Sequence, residues 1–532
     1  MTVSWTWQRY KRYLCRTPEV GLKIDISRMM FSPDYFTAMA GKIEQMFSEM
    51  EKLEQGAVQN PDEGRRVGHY WLRDPELAPE PSLTAEIRGT VAKIKDFARQ
   101  IHEGNIKSFT GNKFTKILLL GIGGSALGPQ FVADALRAPA DKMEFYCLDN
   151  TDPAGFDRIF YDLAGTLSET LVIVISKSGG TIETRNSLLE TQHIFKTNGL
   201  SFSRHAVAVT QKGSKLHTTA AAEGWLEVFP LWDWVGGRTS ETSAVGLLTA
   251  ALQGIAIDEL MEGAGQCDRL TRSRDVSANP AALLALMWYY ASGGQGGKTM
   301  VILPYKDRLQ LFSKYLQQLV MESLGKERDL DNMVVNQGLA VFGNKGSTDQ
   351  HSYLQQILDG PRNIFAVFIE ILKDRQGFSV EVEDSVTSGD YLNAFLHATK
   401  RALTEKGKES VTITVKEVNP FTVGVLIALF ERAVGYYGFL VNINAYHQPA
   451  VEAGKKGARL AVELQKKIFN FLKANADRQL SIEELARELN VEGQEEIICN
   501  ILEHAAANGD HNVIAIADKP YTYAYKSNFH LK

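Results

Sequence analysis

Short runs of apolar, β-branched residues alternate with longer stretches of helical period along most of the chain. One set comprises Lys116-Ile-Leu-Leu-Leu, Met143-Glu-Phe-Tyr-Cys-Leu, Thr170-Leu-Val-Ile-Val-Ile and Ala206-Val-Ala-Val. A second comprises Thr299-Met-Val-Ile-Leu, Ile364-Phe-Ala-Val-Phe-Ile and Val411-Thr-Ile-Thr-Val. Strands spaced this way, with helix-length segments between them, read as βαβ units around buried sheets. The expected fold is α/β, with two doubly wound, mostly parallel sheets flanked by helices. Ligands of such sheets sit where loops leave the carboxyl ends of strands, so those loops are where chemistry is sought.

The same pattern divides the chain. Residues 1–110 read as a mainly helical N-terminal region, with the Pro-rich residues 75–81 as a surface connection. Residues 111–265 and 266–467 each carry one set of strands, and residues 468–532 form a separate extension. In that extension Ser481-Ile-Glu-Glu is a capping-box start, with Ile482, Leu485, Ala486 and Leu489 following at helical spacing. A second helix through Ile497, Ile498, Ile501 and Leu502 precedes Asn512-Val-Ile-Ala-Ile-Ala and Tyr521-Thr-Tyr-Ala-Tyr, separated by Asp518-Lys-Pro. Helices followed by a hairpin predict a small winged-helix-like module.

At 532 residues the chain exceeds one ordinary core, in keeping with two main domains. Its 44% hydrophobic and 23% charged content is ordinary for a globular protein and argues against disorder. A net charge of -5 lays no footprint for nucleic acid or an anionic membrane, so neither partner is expected. An anionic substrate would need a local positive site. Cys15, Cys147, Cys267 and Cys499 lie far apart without a CxxC pair, which predicts neither a zinc site nor a disulfide framework. That usage suits a reducing compartment. The N-terminal segment has no long apolar stretch of the signal-peptide kind. The longest apolar run, residues 421–430, is about half the ~20 residues a membrane helix needs. A cytoplasmic protein is expected.

Two loops carry phosphate-style chemistry. Gly121-Ile-Gly-Gly-Ser125-Ala-Leu-Gly-Pro129 leaves a strand and enters a helix, so glycine backbone and free helix N–H groups can approach an anion closely. Taken alone it also fits a structural tight turn, or the loose dinucleotide fingerprint through Gly121, Gly123 and Ala126, with Asp149 ending the next strand. The second loop, Ser176-Lys177-Ser178-Gly179-Gly180-Thr181-Ile-Glu183-Thr184, offers three hydroxyls, backbone N–H groups and a lysine at a helix start. That set suits a single phosphate. The P-loop pattern GxxxxGK[ST] is absent from it.

Through these loops and further motifs, the chain resembles the glucose-6-phosphate isomerase family, within the wider group of sugar-isomerase domains. The resemblance covers roughly residues 115–460. It rests on Leu120-Gly-Ile-Gly-Gly-Ser-Ala-Leu-Gly-Pro, Ser176-Lys-Ser-Gly-Gly-Thr, Asp233-Trp-Val-Gly-Gly-Arg238, Met321-Glu322-Ser323, Gln350-His351 and Gln448-Pro-Ala-Val-Glu-Ala-Gly-Lys455, in this order. It implies two sugar-isomerase domains at 111–265 and 266–467, and reversible aldose–ketose isomerisation of a hexose phosphate in glycolysis and gluconeogenesis. Neither metal nor organic cofactor is implied. Ser176, Ser178 and Thr181 are expected to bind the substrate phosphate with Lys177 nearby, and Gly124 and Ser125 to contact the sugar end. Gly179 and Gly180 stand where many members carry bulkier residues. Glu183 matches a glutamate near the ring-opening histidine, and Gln318 and Gln448 match substrate-contacting glutamines.

The chemistry then falls on four residues. Moving a proton between C2 and C1 needs a base with a pKa nearer neutrality than a solvated carboxylate's. Glu322 is the family's base, and Leu311, Tyr315 and Leu319 precede it at helical spacing. On such an apolar stripe burial would raise its pKa, and Gly325 is expected to end the helix beside a cleft. His351 reads as the first turn of a helix begun by Ser347, on one face with Leu354 and Leu358, where the dipole disfavours imidazolium. The resemblance implies ring opening by this histidine, donated across the interface of a homodimer. Lys455, on a helix opened by Pro449, is implied to assist it. Arg238, after Gly236 and Gly237, keeps its charge and can stabilise an enediolate oxygen.

Two rivals remain open on sequence. A dinucleotide oxidoreductase would use Gly121, Gly123 and Asp149, but it leaves the Ser176 loop and Met321-Glu-Ser without a role. A non-catalytic sugar-phosphate sensor is suggested by the winged-helix-like tail. From Phe469 onward, however, acidic residues outnumber Lys and Arg ten to six, against a DNA-binding footprint.

Overall fold

The apolar runs fold as the strands of two sheets in the structure, a computed structural model that describes residues 3–476 and 478–526. The first sheet is wholly parallel, in the order Glu144–Leu148, Lys116–Leu120, Thr170–Ile175, Ala206–Thr210, Glu227–Pro230. Side chains alternate across it because successive Cβ atoms point to opposite faces. Ile117, Leu119 and Ile173 pack with Phe97, Phe131 and Leu248, whereas Leu118, Leu120 and Val172 pack with Phe156, Phe195 and Leu216. Both faces are covered by helices, which explains why these strands read as unbroken apolar runs.

The second sheet has six strands, in the order Leu14–Thr17, Leu22–Asp25, Ser410–Val415, Ile364–Ile371, Thr299–Pro304, Val341–Phe342. The last four are mutually parallel, and the first two are an antiparallel pair added at the edge. That pair lies inside the region read as mainly helical. Helices Val3–Tyr13, Ala40–Glu54 and Pro81–Glu103 are present, but residues 14–25 turn back on themselves through Gly21, whose φ is 62°. Each strand of the pair has four residues and mixes Arg, Lys and Asp with its apolar positions, too short a signal for a period-2 pattern to register.

Helix Pro420–Leu440 crosses the core and packs against helices Ile257–Thr271 and Pro280–Ser292. The approach to the first is very close. A Cβ on Gly263 would lie 2.0 Å from the Phe421 carbonyl oxygen, and one on Gly424 2.0 Å from that of Leu260. At 21 residues and a mean hydropathy of 1.4 the helix is long and apolar enough to cross a membrane, longer than the ten-residue run counted in the sequence. Here that apolar stretch is entirely buried in protein. Its central charges, Glu431 and Arg432, are buried in an ion network. Arg432 meets Glu54 at 2.7 Å and Asp268 at 3.3 Å, Arg73 meets Asp268 at 3.0 Å and also contacts Glu431, and Arg272 meets Glu54 at 3.1 Å.

Residues 448–532 form a second compact unit with its own core. Leu464, Ile468 and Leu472 of the 26-residue helix Pro449–Ala474 pack with Leu485, Ile498, Leu502 and Tyr523. Because that helix is continuous, Gln448 and Lys455 belong to this unit. Ser481 and Glu484 make the reciprocal capping box, at 2.8 and 3.2 Å. Helices Ile482–Glu488 and Glu495–Ala507 are followed by the antiparallel pair Val513–Ala515 and Thr522–Tyr525, with Leu480–Ser481 added beside the latter.

Candidate active site

Two glycine-rich turns meet backbone to backbone. The loop after strand Lys116–Leu120 forms a 3-10 turn, Gly123–Ser125, before helix Leu127–Leu136. A Cβ on Gly124 would lie 2.0 Å from the carbonyl oxygen of Gly237, so no side chain fits between this turn and Gly237–Thr239. Asp149, the acidic residue a dinucleotide site would use, accepts a hydrogen bond from Gln130 at 2.9 Å.

The second turn carries Arg238 inward, to 5% exposure. Its Nε donates to Ser323 Oγ at 2.6 Å, and Nη2 donates to the Ala445 and His447 carbonyls at 2.8 and 3.2 Å. Nη1 donates to Glu322 Oε2 at 3.2 Å. A guanidinium held on three sides has one orientation, and that orientation faces the carboxylate. Gln318 Nε2 donates to the same Glu322 oxygen at 3.1 Å, and Gly123 lies against that amide.

The Glu322 helix departs from the α-helix expected. Phe312–Leu316 is α-helical, but Gln317–Glu322 is a π-turn, and the helix ends at Leu324, just before Gly325. The wider turn brings Gln318 and Glu322 over one another on one face. Tyr315 and Leu319 are buried, but the Glu322 side chain keeps 25% exposure and looks onto Arg238 rather than into an apolar wall.

Lys326 was missed by the sequence reading. Its ammonium donates to the carbonyls of Glu322 and Ser323 at 2.8 and 2.7 Å, closing the end of the Glu322 turn. Burial, assisted by the Arg238 charge, pulls its pKa down to about 7. The available signal was a lysine directly after the helix-ending Gly325, the position from which a cation reaches the last carbonyls.

The Ser176 loop lies at the end of strand Thr170–Ile175, before helix Ile182–Thr197. Ser176 Oγ bonds Thr181 Oγ1 at 3.2 Å and accepts from the Gly179 N–H at 3.1 Å, while Ser178 Oγ accepts from Gly180 N–H at 3.1 Å. These contacts curl the hydroxyls and amides around the helix start. Gly179 has φ 71°, and a Cβ there would strike the Leu216 backbone at 2.4 Å. Lys177 turns away to donate to the Asp233 and Val235 carbonyls at 2.9 and 3.4 Å. It ties the loop to the segment that carries Arg238, and burial lowers its pKa to about 8. Glu183 is half-buried in the first turn of the helix.

His351 corrects an expectation. It ends the 3-10 turn Thr348–His351, and a separate helix, Leu354–Asp359, starts after it. The imidazole is therefore not in the first turn of an α-helix, and the dipole argument for its neutrality does not apply. His351 is exposed. Lys455 lies on helix Pro449–Ala474, which does start with Pro449, but its side chain lies outside the described residues. Gln448 is the residue before that helix. The structure thus brings together Gly124, Arg238, Gln318 and Glu322, with Lys177 joining the Ser176 loop to them.

Comparison with known proteins bears on the family of the chain. The Phosphoglucose isomerase family model matches residues 34–409 and 396–476. A glucose-6-phosphate isomerase of Geotalea daltonii is 57% identical, over 98% of both chains. One of Geobacter sulfurreducens is 58% identical, over 97% of this chain and 98% of its own. The crystal structure of a glucose-6-phosphate isomerase from Chlamydia trachomatis superposes with a TM-score of 0.79 at 25% identity, covering 86% of this chain and 91% of that one. Fold, motifs and relatives agree, and the chain belongs to the phosphoglucose isomerase family.

Proposed function

We propose that the chain interconverts glucose 6-phosphate and fructose 6-phosphate by proton transfer within the open-chain sugar. The observation that carries this reading is the Glu322 carboxylate, held by Arg238 and Gln318 where two glycine-rich turns meet. Relatives named for this activity, matched along nearly the whole chain, support it.

The substrate phosphate is bound by Ser176, Ser178 and Thr181 at the start of helix Ile182–Thr197, whose dipole favours the anion. Gly124, Ser125, Gln318 and Gln448 contact the sugar end. His351 gives a proton to the ring oxygen while the anomeric hydroxyl loses one, with Lys455 and Glu183 beside it, and the ring opens to the aldehyde. Glu322 takes the C2 proton, and the electron pair moves to the C1 oxygen to give a cis-enediolate. Arg238 stabilises that oxygen with a charge already in place, so little reorganisation is needed. A proton passes between the two oxygens, Glu322 returns its proton to C1, and the ketose closes. Atoms and electrons balance without a cofactor. His351 is exposed, which leaves it available to a second copy of the chain, and the active unit is a homodimer of the cytoplasm.

The test is conversion of fructose 6-phosphate to glucose 6-phosphate by purified chain with EDTA present. Product is expected. Its absence from folded, dimeric protein would overturn the reading in favour of a sugar-phosphate sensor.

A further inference from the structure

A cavity of about 470 Å³ opens over the edge of the six-stranded sheet, lined by none of the residues assigned above. Its floor follows from strand register. Lys23 pairs with Thr414 and Thr414 with Glu370, while in the next row Asp25 pairs with Thr412, so all these side chains share one face. Further along the same sheet that face is apolar, and Leu396 and Leu403 of helix Ser388–Glu405 seal it against Val301 and Phe368. Over the edge strands the covering is incomplete and the surface is polar. Lys400 and Thr404 enter from that helix, Arg28 from the chain after strand Leu22–Asp25, and Trp7 and Tyr10 of helix Val3–Tyr13 form a rim.

Three donors face this cavity without an acceptor. Lys400 is only 6% exposed and lines the cavity, and among the described residues its ammonium makes no hydrogen bond or ion pair. Asp25 and Glu370 attract it only at longer range, and burial lowers its pKa. Arg28 Nε and Thr412 Oγ1 are buried and unpaired as well, although Arg28 Nη1 donates to Thr404 at 2.7 Å. Buried donors left without acceptors are unfavourable unless something binds them, and these three lie around one cavity of small-molecule size. The same wall holds two carboxylates. Glu370 accepts from Thr414 at 2.6 Å and lies 3.8 Å from His397, and Asp25 accepts from the Ser27 N–H at 2.9 Å. A polycarboxylate would meet repulsion there, whereas hydroxyl groups would donate to them.

We propose that this cavity is a second, non-catalytic binding site for a small phosphorylated polyol or sugar. The phosphate meets Lys400, Arg28 and Thr412, the hydroxyls donate to Asp25 and Glu370, and the carbon chain lies against Trp7 and Tyr10. The proposal stands apart from the reading of the Glu322 site.

The test is hydrogen–deuterium exchange of the full chain with sorbitol 6-phosphate or inorganic phosphate. Sorbitol 6-phosphate is expected to slow exchange in residues 22–28 and 388–405 as well as in residues 176–184. Lys400→Met removes an unpaired buried charge. It is expected to lose the first protection by at least tenfold in ligand concentration, keep the second, and retain wild-type isomerase turnover. Should that variant not fold, Thr412→Val is read in the same way. Protection confined to residues 176–184 in the wild type, or unchanged by both substitutions, would overturn the site. Equal protection by inorganic phosphate alone would overturn the polyol assignment.

Discussion

Lys326→Met isolates what the cap on the Glu322 turn does, because methionine keeps the apolar stem and removes only the ammonium. Two charge-assisted hydrogen bonds, to the Glu322 and Ser323 carbonyls, are lost. At about 1.5–3 kcal/mol each they hold the turn by about 3–6 kcal/mol. Burial nevertheless takes the lysine from 10.5 to about 7. At 1.36 kcal/mol per pH unit, its charged form is disfavoured in the folded site by about 5 kcal/mol net. At neutral pH the charged and neutral forms are therefore nearly balanced, and stability there is the wrong readout. Position is the right one. With its carbonyls released the turn relaxes, and a shift of about 1 Å in Glu322 costs roughly 10²-fold in kcat. KM changes far less, since the phosphate loop is untouched.

The pH dependence of stability supplies a second, independent readout. The folded pKa lies below the unfolded one, so between about pH 7 and pH 10 the unfolded chain holds a proton that the native chain does not. The destabilisation is fully present below about pH 7 and is relieved as pH rises toward the unfolded pKa. From about pH 7.5 to about pH 9.5 the wild type should gain about 2–3 kcal/mol more than Lys326→Met, measured by denaturant unfolding at both pH values. A kcat within roughly twofold of wild type would show that Lys326 does not position Glu322, and parallel stability slopes would show that its pKa is not lowered.

Other substitutions test neighbouring contacts. Gly124→Ala forces the 237–238 turn away and should cut kcat by roughly 10²-fold, with a smaller change in melting temperature; steady-state kinetics and calorimetry check both. Arg432→Met leaves Glu54 and Asp268 without their shared cation and should destabilise the fold by about 3–5 kcal/mol in denaturant titration. Ser323→Ala removes the acceptor of the charge-assisted bond from Arg238 Nε. It should lower kcat/KM by about tenfold or more through loss of about 1.5–3 kcal/mol, with the protein still folded by circular dichroism.

The strands were legible because burial on both faces writes an unbroken apolar run, as in Thr170–Ile175 and Ile364–Ile371. Glycine-rich turns were legible because close backbone approach excludes a side chain, as Gly124 against Gly237 shows. What escaped depends on partners distant in the chain. The edge pair at residues 14–25 is defined by its pairing with Ser410–Val415, not by its own composition. The π-turn adds no residue type that an α-helix would refuse, so periodicity alone does not reveal it. Glu322 was placed on an apolar stripe from helical spacing, whereas the guanidinium facing it comes from 84 residues earlier. The resemblance puts Lys177 near the phosphate, and only the fold reveals that the Asp233 and Val235 carbonyls take its ammonium. The turn ending at His351 shows the same limit, since a Ser-led start does not tell a 3-10 turn from an α-helix.

Glu322, held by Arg238 and Gln318, moves the proton between C2 and C1 in this mechanism. The most direct test is Glu322→Gln turning over fructose 6-phosphate in deuterium oxide, with label at C2 of the product followed by NMR. Turnover and C2 labelling should both fall by about 10⁴-fold, the upper range for a general base, with sugar-phosphate affinity largely kept. Near-normal turnover with normal labelling would contradict it and assign the proton to another residue.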